Sequence, residues 1–266
     1  MTFRDIKRKS SKPPLCLAII NQKGGVGKST TAVNLSAALG ERNRKVLVID
    51  LDPQGNTTSG FGIDKNKNRN HDIYNGLLQE DPADDLIINT GTPNVYIIPA
   101  TIQLASAELD LASEMARENR LKDVIDPIKD EFDFIFIDCP PSLGLLTINA
   151  LTAADKLLVP IQCEFYAMEG VTKLLDSMKM VKKHLNPNLE LFGVLLTLYD
   201  KRTTLSNQVV EEVQSFFGDL TFKTIIPRTV KLSEAPSYGE TIFQYFPKGK
   251  GAECYRSLAK EVINRA

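Results

Sequence analysis

The sequence predicts a doubly wound α/β fold, a mostly parallel sheet of about seven or eight strands with helices on both faces. Three observations carry that expectation. Short apolar runs recur along the chain and are near-continuous in β-branched, Leu and Phe residues, which suits strands covered on both faces. Patterns of helical periodicity lie between them, so the elements alternate β-α-β-α. A glycine-rich segment ends the first run and opens the first helical pattern, at the strand end where such sheets bind ligands.

Met1 to Lys12 is a polar start bearing Arg4, Lys7, Arg8, Lys9 and Lys12 against Asp5. Disorder is the expectation for this tail, with added phosphate contacts as the alternative. Leu15 to Ile20 reads as the first strand, and Ser29 to Leu39 as a helix with Ala32, Val33, Leu35, Ala38 and Leu39 as its apolar positions. Further strands are expected at Val46 to Ile49, Val95 to Ile98, Phe132 to Ile137, Lys156 to Ile161, Leu191 to Leu198 and Thr224 to Ile226. Val171, Leu174, Leu175, Met178 and Val181 give the stripe of an amphipathic helix. Asp64 to Asn70 is a polar loop, and Gly249 to Ala266 reads as a closing helix. No composition shift, repeat or low-complexity tract divides the chain, so residues 13–266 read as one domain behind the tail of residues 1–12.

Composition sets limits on function. The 32 Lys+Arg and 33 Asp+Glu leave a formal charge of −1, which excludes a histone-like polycation. A nucleic-acid partner therefore requires a local basic patch. With 42% apolar and 24% charged residues the chain is globular in type and disorder throughout is excluded. The cysteines, at 16, 139, 163 and 254, form no C-x-x-C and have no nearby His, so they read as buried small residues in a reducing compartment. There is no signal-peptide pattern, and no apolar run approaches the roughly 20 residues of a membrane span. A cytoplasmic protein is expected.

The strongest motif is Asn21-Gln22-Lys23-Gly24-Gly25-Val26-Gly27-Lys28-Ser29-Thr30. Glycines let backbone N–H groups turn inward around phosphate oxygens, and the following helix adds its positive end. Lys28 is placed to reach β/γ phosphates and Ser29 to offer a hydroxyl to Mg²⁺. The strict G-x-x-x-x-G-K-[ST] pattern fails at Gln22, and K-G-G-x-G-K-[ST] fits instead. Lys23 has no obvious duty toward its own site. It reads either as a solvated lysine or as a group that crosses a dimer interface to the other subunit's nucleotide. Two acidic segments follow strands: Asp50-Leu51-Asp52-Pro53-Gln54-Gly55-Asn56, and Asp138-Cys139-Pro140-Pro141-Ser142-Leu143-Gly144. Such acids orient water or contact the Mg²⁺ shell, and the Pro-Pro segment can report γ-phosphate loss; singly, each acid could also be a turn or cap residue.

With these residues in view, the chain resembles the ParA/Soj family of chromosome- and plasmid-partition ATPases. The resemblance covers Lys23 to Thr30, Asp50 to Asn56 and Asp138 to Gly144, and extends to Leu196 to Val209 and Ile226 to Thr241. The variant phosphate loop alone is shared with MinD proteins, arsenite-pump ATPases and nitrogenase iron protein. The segments Asp-Leu-Asp-Pro-Gln-Gly-Asn and Leu-Ser-Glu-Ala-Pro-Ser-Tyr-Gly point to ParA/Soj. The resemblance implies a P-loop NTPase fold that hydrolyses ATP to ADP with Mg²⁺, and an ATP-dependent sandwich homodimer that binds double-stranded DNA without sequence preference. It further implies a ParB-type centromere-binding partner that stimulates hydrolysis and release, in a nucleoid-associated cytoplasmic setting.

Carried onto this chain, Lys23, Lys28 and Asp52 match the catalytic set, Asp52 being the water-positioning acid. Lys23, Gly24, Gly25, Val26, Gly27, Lys28, Ser29 and Thr30 match the nucleotide loop; Ser29, Asp50 and Asp138 match the magnesium shell. Adenine contacts fall loosely on Leu196 to Asp200 and Pro227-Arg228. DNA contacts fall on Lys201, Arg202, Arg228 and Lys231, with Lys248 and Lys250 as extensions. At Lys231 relatives commonly carry arginine; lysine keeps the charge without the planar fork.

The tail is too short for the helix-turn-helix domain of longer plasmid ParA proteins, so no operator-binding role is expected. A MinD-type membrane ATPase is the alternative. It would need an exposed amphipathic C-terminal helix, whereas Ala252, Tyr255, Leu258, Ala259, Val262 and Ile263 form a modest stripe suited to packing. A nitrogenase-type cluster would need bridging thiolates, and Cys139 has no second cysteine near it in sequence.

Overall fold

The computed structural model describes residues 3–5, 7–8, 11–67, 71–164 and 169–266. Its strands are β1 (Leu15–Ile19), β2 (Val46–Asp50), β3 (Ile88–Asn89), β4 (Val95–Ile98), β5 (Phe134–Asp138), β6 (Lys156–Gln162) and β7 (Glu190–Thr197). They form a seven-stranded sheet in the order β3-β4-β2-β5-β1-β6-β7. All pairings are parallel except the short antiparallel edge of β3 on β4.

Alternation within β1 explains the two layers of core. Cys16 and Ala18 enter one apolar cluster, while Leu17 and Ile19 enter the other on the opposite face. The helix Lys28–Gly40 covers the second face together with the C-terminal helix Lys250–Arg265. The helices Leu145–Ala153 and Glu169–His184 contribute Leu146, Ala150, Val171 and Leu174 to the first. The connections leaving β1 and β5 thus run to opposite faces, which opens a crevice at their carboxyl ends.

The segment Thr224 to Ile226, expected as a strand, is not one. It lies beside β7 through isolated bridges, Val194 to Thr221 and Tyr199 to Pro227, and through Ile226 N–H donating to the Leu196 carbonyl at 2.9 Å. Pro227 has no N–H with which to extend a ladder. The strand at Ile88–Asn89 escapes sequence reading because two residues carry no period.

The basic tail, expected to be disordered, differs at its described residues. Phe3–Asp5 form a 3-10 turn, with the Phe3 ring stacked on Phe132 at 5.7 Å and edge-on to Tyr96 at 6.3 Å. Lys45 Nζ lies 5.5 Å from the Phe3 ring and 5.0 Å from the Phe132 ring. Burial of Phe3 and the two-point pairing of Arg4 with Asp84, at 2.9 and 3.0 Å, together anchor these residues. Lys9, residues 68–70 of the polar loop and residues 165–168 lie outside the described residues.

The C-terminal helix buries Ala252, Tyr255, Leu258, Ala259 and Val262 against the molecule. Among the described residues no helix is long and apolar enough to cross a membrane.

Candidate functional site

Directly after β1 the chain turns through residues 21–27 into the helix Lys28–Gly40. Gly25 and Gly27 adopt φ of 76° and 87°, a left-handed conformation in which an L side chain is strained. The loop is pinned from two neighbouring strands. Thr197 Oγ1, at the end of β7, donates to the Val26 carbonyl at 2.8 Å. Asn21 Nδ2 donates to the Pro160 carbonyl of β6 at 2.7 Å, while its Oδ1 accepts from Lys23 N–H at 3.0 Å.

Beside the loop is a cavity of about 590 Å³. Gly24, Gly25, Gly27, Lys28, Ser29 and Thr30 line it, with Asp52 and Pro141 from the two acidic segments. Leu198 and Ile226 form part of its wall; Pro227 and Arg228, expected at the adenine, do not. Val26 is buried behind the loop. Sequence reasoning assigned no role to Asn34, Ser233, Ser237 or Glu240 and read Tyr255 as a packing residue, yet all five also line the cavity. The Leu-Ser-Glu-Ala-Pro-Ser-Tyr-Gly segment was the available signal for two of these positions, Ser233 and Ser237. Tyr255 reaches the wall from the C-terminal helix, where its hydroxyl shares a 3.3 Å hydrogen bond with Thr31 Oγ1.

Lys28 is 6% exposed, and its Nζ donates to the Lys23 carbonyl at 3.3 Å. Burial draws its pKa down, against the opposing pull of Asp138, Cys139 and Asp52. Below the loop, Asp138 Oδ2 accepts from Thr57 Oγ1 at 2.7 Å. Its other oxygen, Oδ1, is buried with no hydrogen-bond partner among the described residues. Burial raises the Asp138 pKa, while Ser29, Thr57 and Lys28 pull it back.

Asp50 is differently placed. Its Oδ2 accepts from Thr58 N–H at 2.7 Å and Thr58 Oγ1 at 2.6 Å, and its Oδ1 from Asp52 N–H at 3.3 Å. The acceptors expected to face a magnesium shell are thus already engaged within the loop after β2. Asp52 lines the cavity, with Oδ1 accepting from Gln54 N–H at 3.0 Å.

Lys23 does not line the cavity that Lys28 serves. Its Nζ instead lies 3.9 Å from Glu164 Oε2. The basic residues after β7 are also engaged within the chain: Arg202 Nη2 with Asp200 at 2.7 Å, Arg228 Nη2 with Glu164 at 2.5 Å, and Lys231 Nζ with Glu234 at 2.8 Å. Arg202 holds the Asp200 carboxyl well below the usual range. Backbone pairing between Arg228 N–H and the Tyr199 carbonyl, at 2.9 Å, brings Arg228 close to the Asp200–Arg202 turn. Lys201 is exposed on that turn, and Lys250 pairs with Glu253 at 3.4 Å.

A family model described as an AAA domain matches residues 15–191. The chain is 53% identical over 246 residues to the sporulation initiation inhibitor protein Soj of Bacillus subtilis strain 168, covering 92% of this chain and 97% of that protein. It is 48% identical over 249 residues to the chromosome partitioning protein ParA of Myxococcus xanthus strain DK1622, covering 94% and 88%. The chain belongs to the ParA/Soj family of partitioning ATPases. Among solved structures it is similar to a Mycobacterium smegmatis protein described as cobyrinic acid a,c-diamide synthase with bound ATP analogue and magnesium. The TM-score is 0.82 and the identity 39%, covering 94% of this chain and 95% of that one. The ParA/Soj relatives share a larger fraction of residues over a similar length, so the partitioning assignment carries more weight than that description.

Proposed function

We propose that this ParA/Soj protein is an ATP-gated dimer that binds DNA without sequence preference and leaves it after hydrolysis. One observation supports this reading above the others: the loop carries two lysines, and Lys28 lines its own cavity while Lys23 stands outside it. The outer lysine is free of duties toward its own nucleotide and is suited to a second copy's nucleotide across the carboxyl edge of the sheet.

The cofactors are ATP or ADP with Mg²⁺. The unpartnered Oδ1 of Asp138, below Ser29, fits a magnesium shell, and the open left-handed glycines fit a phosphate cradle. Among the described residues no cluster of three or more His, Cys, Asp or Glu is poised for a metal. That fits Mg²⁺, which takes one or two protein groups and fills its shell with phosphate and water. When bound, Mg²⁺ would neutralise charge on the phosphate oxygens. Ser29 and Asp138 would hold it, and Asp50 would support Asp138 from the adjoining strand. Lys28 and the loop N–H groups hold the phosphates, and Asp52 orients the attacking water from the cavity's edge. Lys23 stabilises charge on the γ-phosphoryl group of the facing subunit.

Lys201, Arg202, Arg228 and Lys231 form the DNA contact, doubled by dimerisation. A ParB-type partner stimulates hydrolysis, and the protein is nucleoid-associated in the cytoplasm. The covered apolar face of the C-terminal helix favours DNA over the membrane surface a MinD-type ATPase would use. Light scattering tests the assembly step. A non-hydrolysable ATP analogue with Mg²⁺ should double the mass, ADP should not, and equal mass in both would overturn the reading.

A further inference from the structure

We infer that Glu164 is a restraining residue, which in the free chain holds both the lysine meant for the facing nucleotide and an arginine meant for DNA. The inference rests on the function proposed above for Lys23 and Arg228. Its geometry comes from strand order. β6 lies between β1 and β7, so a side chain at the carboxyl end of β6 stands between the loops leaving its neighbours. Glu164 follows β6, Lys23 follows β1, and Arg228 is tied by its backbone to Tyr199 after β7. Glu164 uses one oxygen for each cation: Oε2 lies 3.9 Å from Lys23 Nζ, and Oε1 accepts from Arg228 Nη2 at 2.5 Å.

The backbone leading into the acid is anchored. Cys163 N–H donates to the Thr197 carbonyl at 3.0 Å, and the Cys163 carbonyl accepts from Ser206 Oγ at 3.1 Å. The Glu164 side chain therefore starts from a fixed point between the ends of β6 and β7. Lys23, Glu164 and Arg228 side chains are between 41% and 52% exposed, so phosphate groups can reach both cations. Each phosphate must displace the same carboxylate. An exposed pair of this kind is weak, and the restraint accordingly lowers affinity without abolishing it.

A double-mutant cycle on the full chain tests this, with a duplex of random sequence, a non-hydrolysable ATP analogue and Mg²⁺ at fixed salt. Glu164→Gln should bind the duplex about two- to fivefold more tightly than wild type. With protein held above the concentration at which every variant is fully dimeric, the same change in an Arg228→Ala background should have no effect beyond experimental error. An equal gain in both backgrounds would reduce Glu164 to a general negative charge and overturn the inference, as would no gain in either. A second measurement reads Lys23 without DNA. Glu164→Gln should shift analogue-driven dimerisation to about two- to fivefold lower protein concentration, and an unchanged midpoint would overturn the restraint on Lys23. Unfolding temperatures of Glu164→Gln and Glu164→Ala within a degree or so of wild type would exclude a folding defect. A wild-type chain that binds no duplex with the analogue would defeat the proposed function itself. Wild-type binding with a flat cycle would defeat the role of Glu164 alone.

Discussion

Asp50 and Asp138 occupy the same register position of the paired strands β2 and β5, two buried carboxyls side by side at the carboxyl edge of the sheet. Burial raises both pKa values, and for Asp50 the neighbouring Asp138 adds to the rise. A carboxyl whose folded pKa lies above its unfolded value binds more protons in the native state. Its contribution to stability is therefore complete at low pH and is lost as pH rises through the folded value.

Asp138→Asn removes one of the two charges. The metal-free, nucleotide-free variant should be more stable than wild type, by on the order of 1–3 kcal/mol at pH 8 and by less at pH 5. Its added stabilisation by ATP and Mg²⁺ should fall, because a neutral amide replaces the anionic group beneath Ser29. Thermal melts at the two pH values, with and without MgATP, check this. An identical offset at both pH values would contradict the burial argument.

Lys23→Ala should retain ATP within a few-fold of wild-type affinity, since Lys28 and the loop backbone remain. It should fail to dimerise with the ATP analogue. Light scattering at matched occupancy decides, and a full-mass dimer of the variant would confine Lys23 to its own subunit.

Asp52→Ala should lower the hydrolysis rate by about 10²-fold or more while leaving nucleotide binding and assembly intact. The ATP form should therefore persist on DNA. Phosphate release and DNA retention measured on the same sample check this prediction. Rapid hydrolysis by the variant would move the water-positioning role elsewhere.

The fold was legible where burial leaves a strong imprint. β2 and β5 are buried at every position, and their apolar runs mark them within a residue or two. The phosphate loop was legible because glycine at Gly25 and Gly27 is required by backbone conformation, which sequence records directly. Less was recorded where distant segments meet. Tyr255 reaches the cavity from a helix more than two hundred positions beyond the loop it faces, and nothing in its local pattern distinguishes it from other buried residues of that stripe. Thr58, by occupying Asp50, alters the duty of an acid that the motif alone would assign to metal. The basic residues proposed for DNA were visible singly. The pairing of Arg228 with Glu164 was not, because the two lie 64 positions apart in the chain, whereas Asp200 and Glu234 lie within three positions of Arg202 and Lys231.

Arg202→Glu reverses a charge and also releases Asp200 from its two-point pairing, so it adds repulsion as well as removing attraction. DNA affinity should fall at least about tenfold, and the slope of log K against log salt should shrink by about 1 for each phosphate that is no longer neutralised. Dimerisation should be unchanged. Filter binding across a salt series checks both numbers, and an unaltered slope would remove Arg202 from the DNA-binding surface.

The most direct test of an ATP-gated DNA binder is steady-state ATP hydrolysis measured alone, with non-specific duplex DNA, with a ParB-type partner, and with both. The lowest rate should occur alone, each addition should give at most a partial increase, and full stimulation should require DNA and partner together. A maximal rate reached without either, or one indifferent to DNA, would contradict the account.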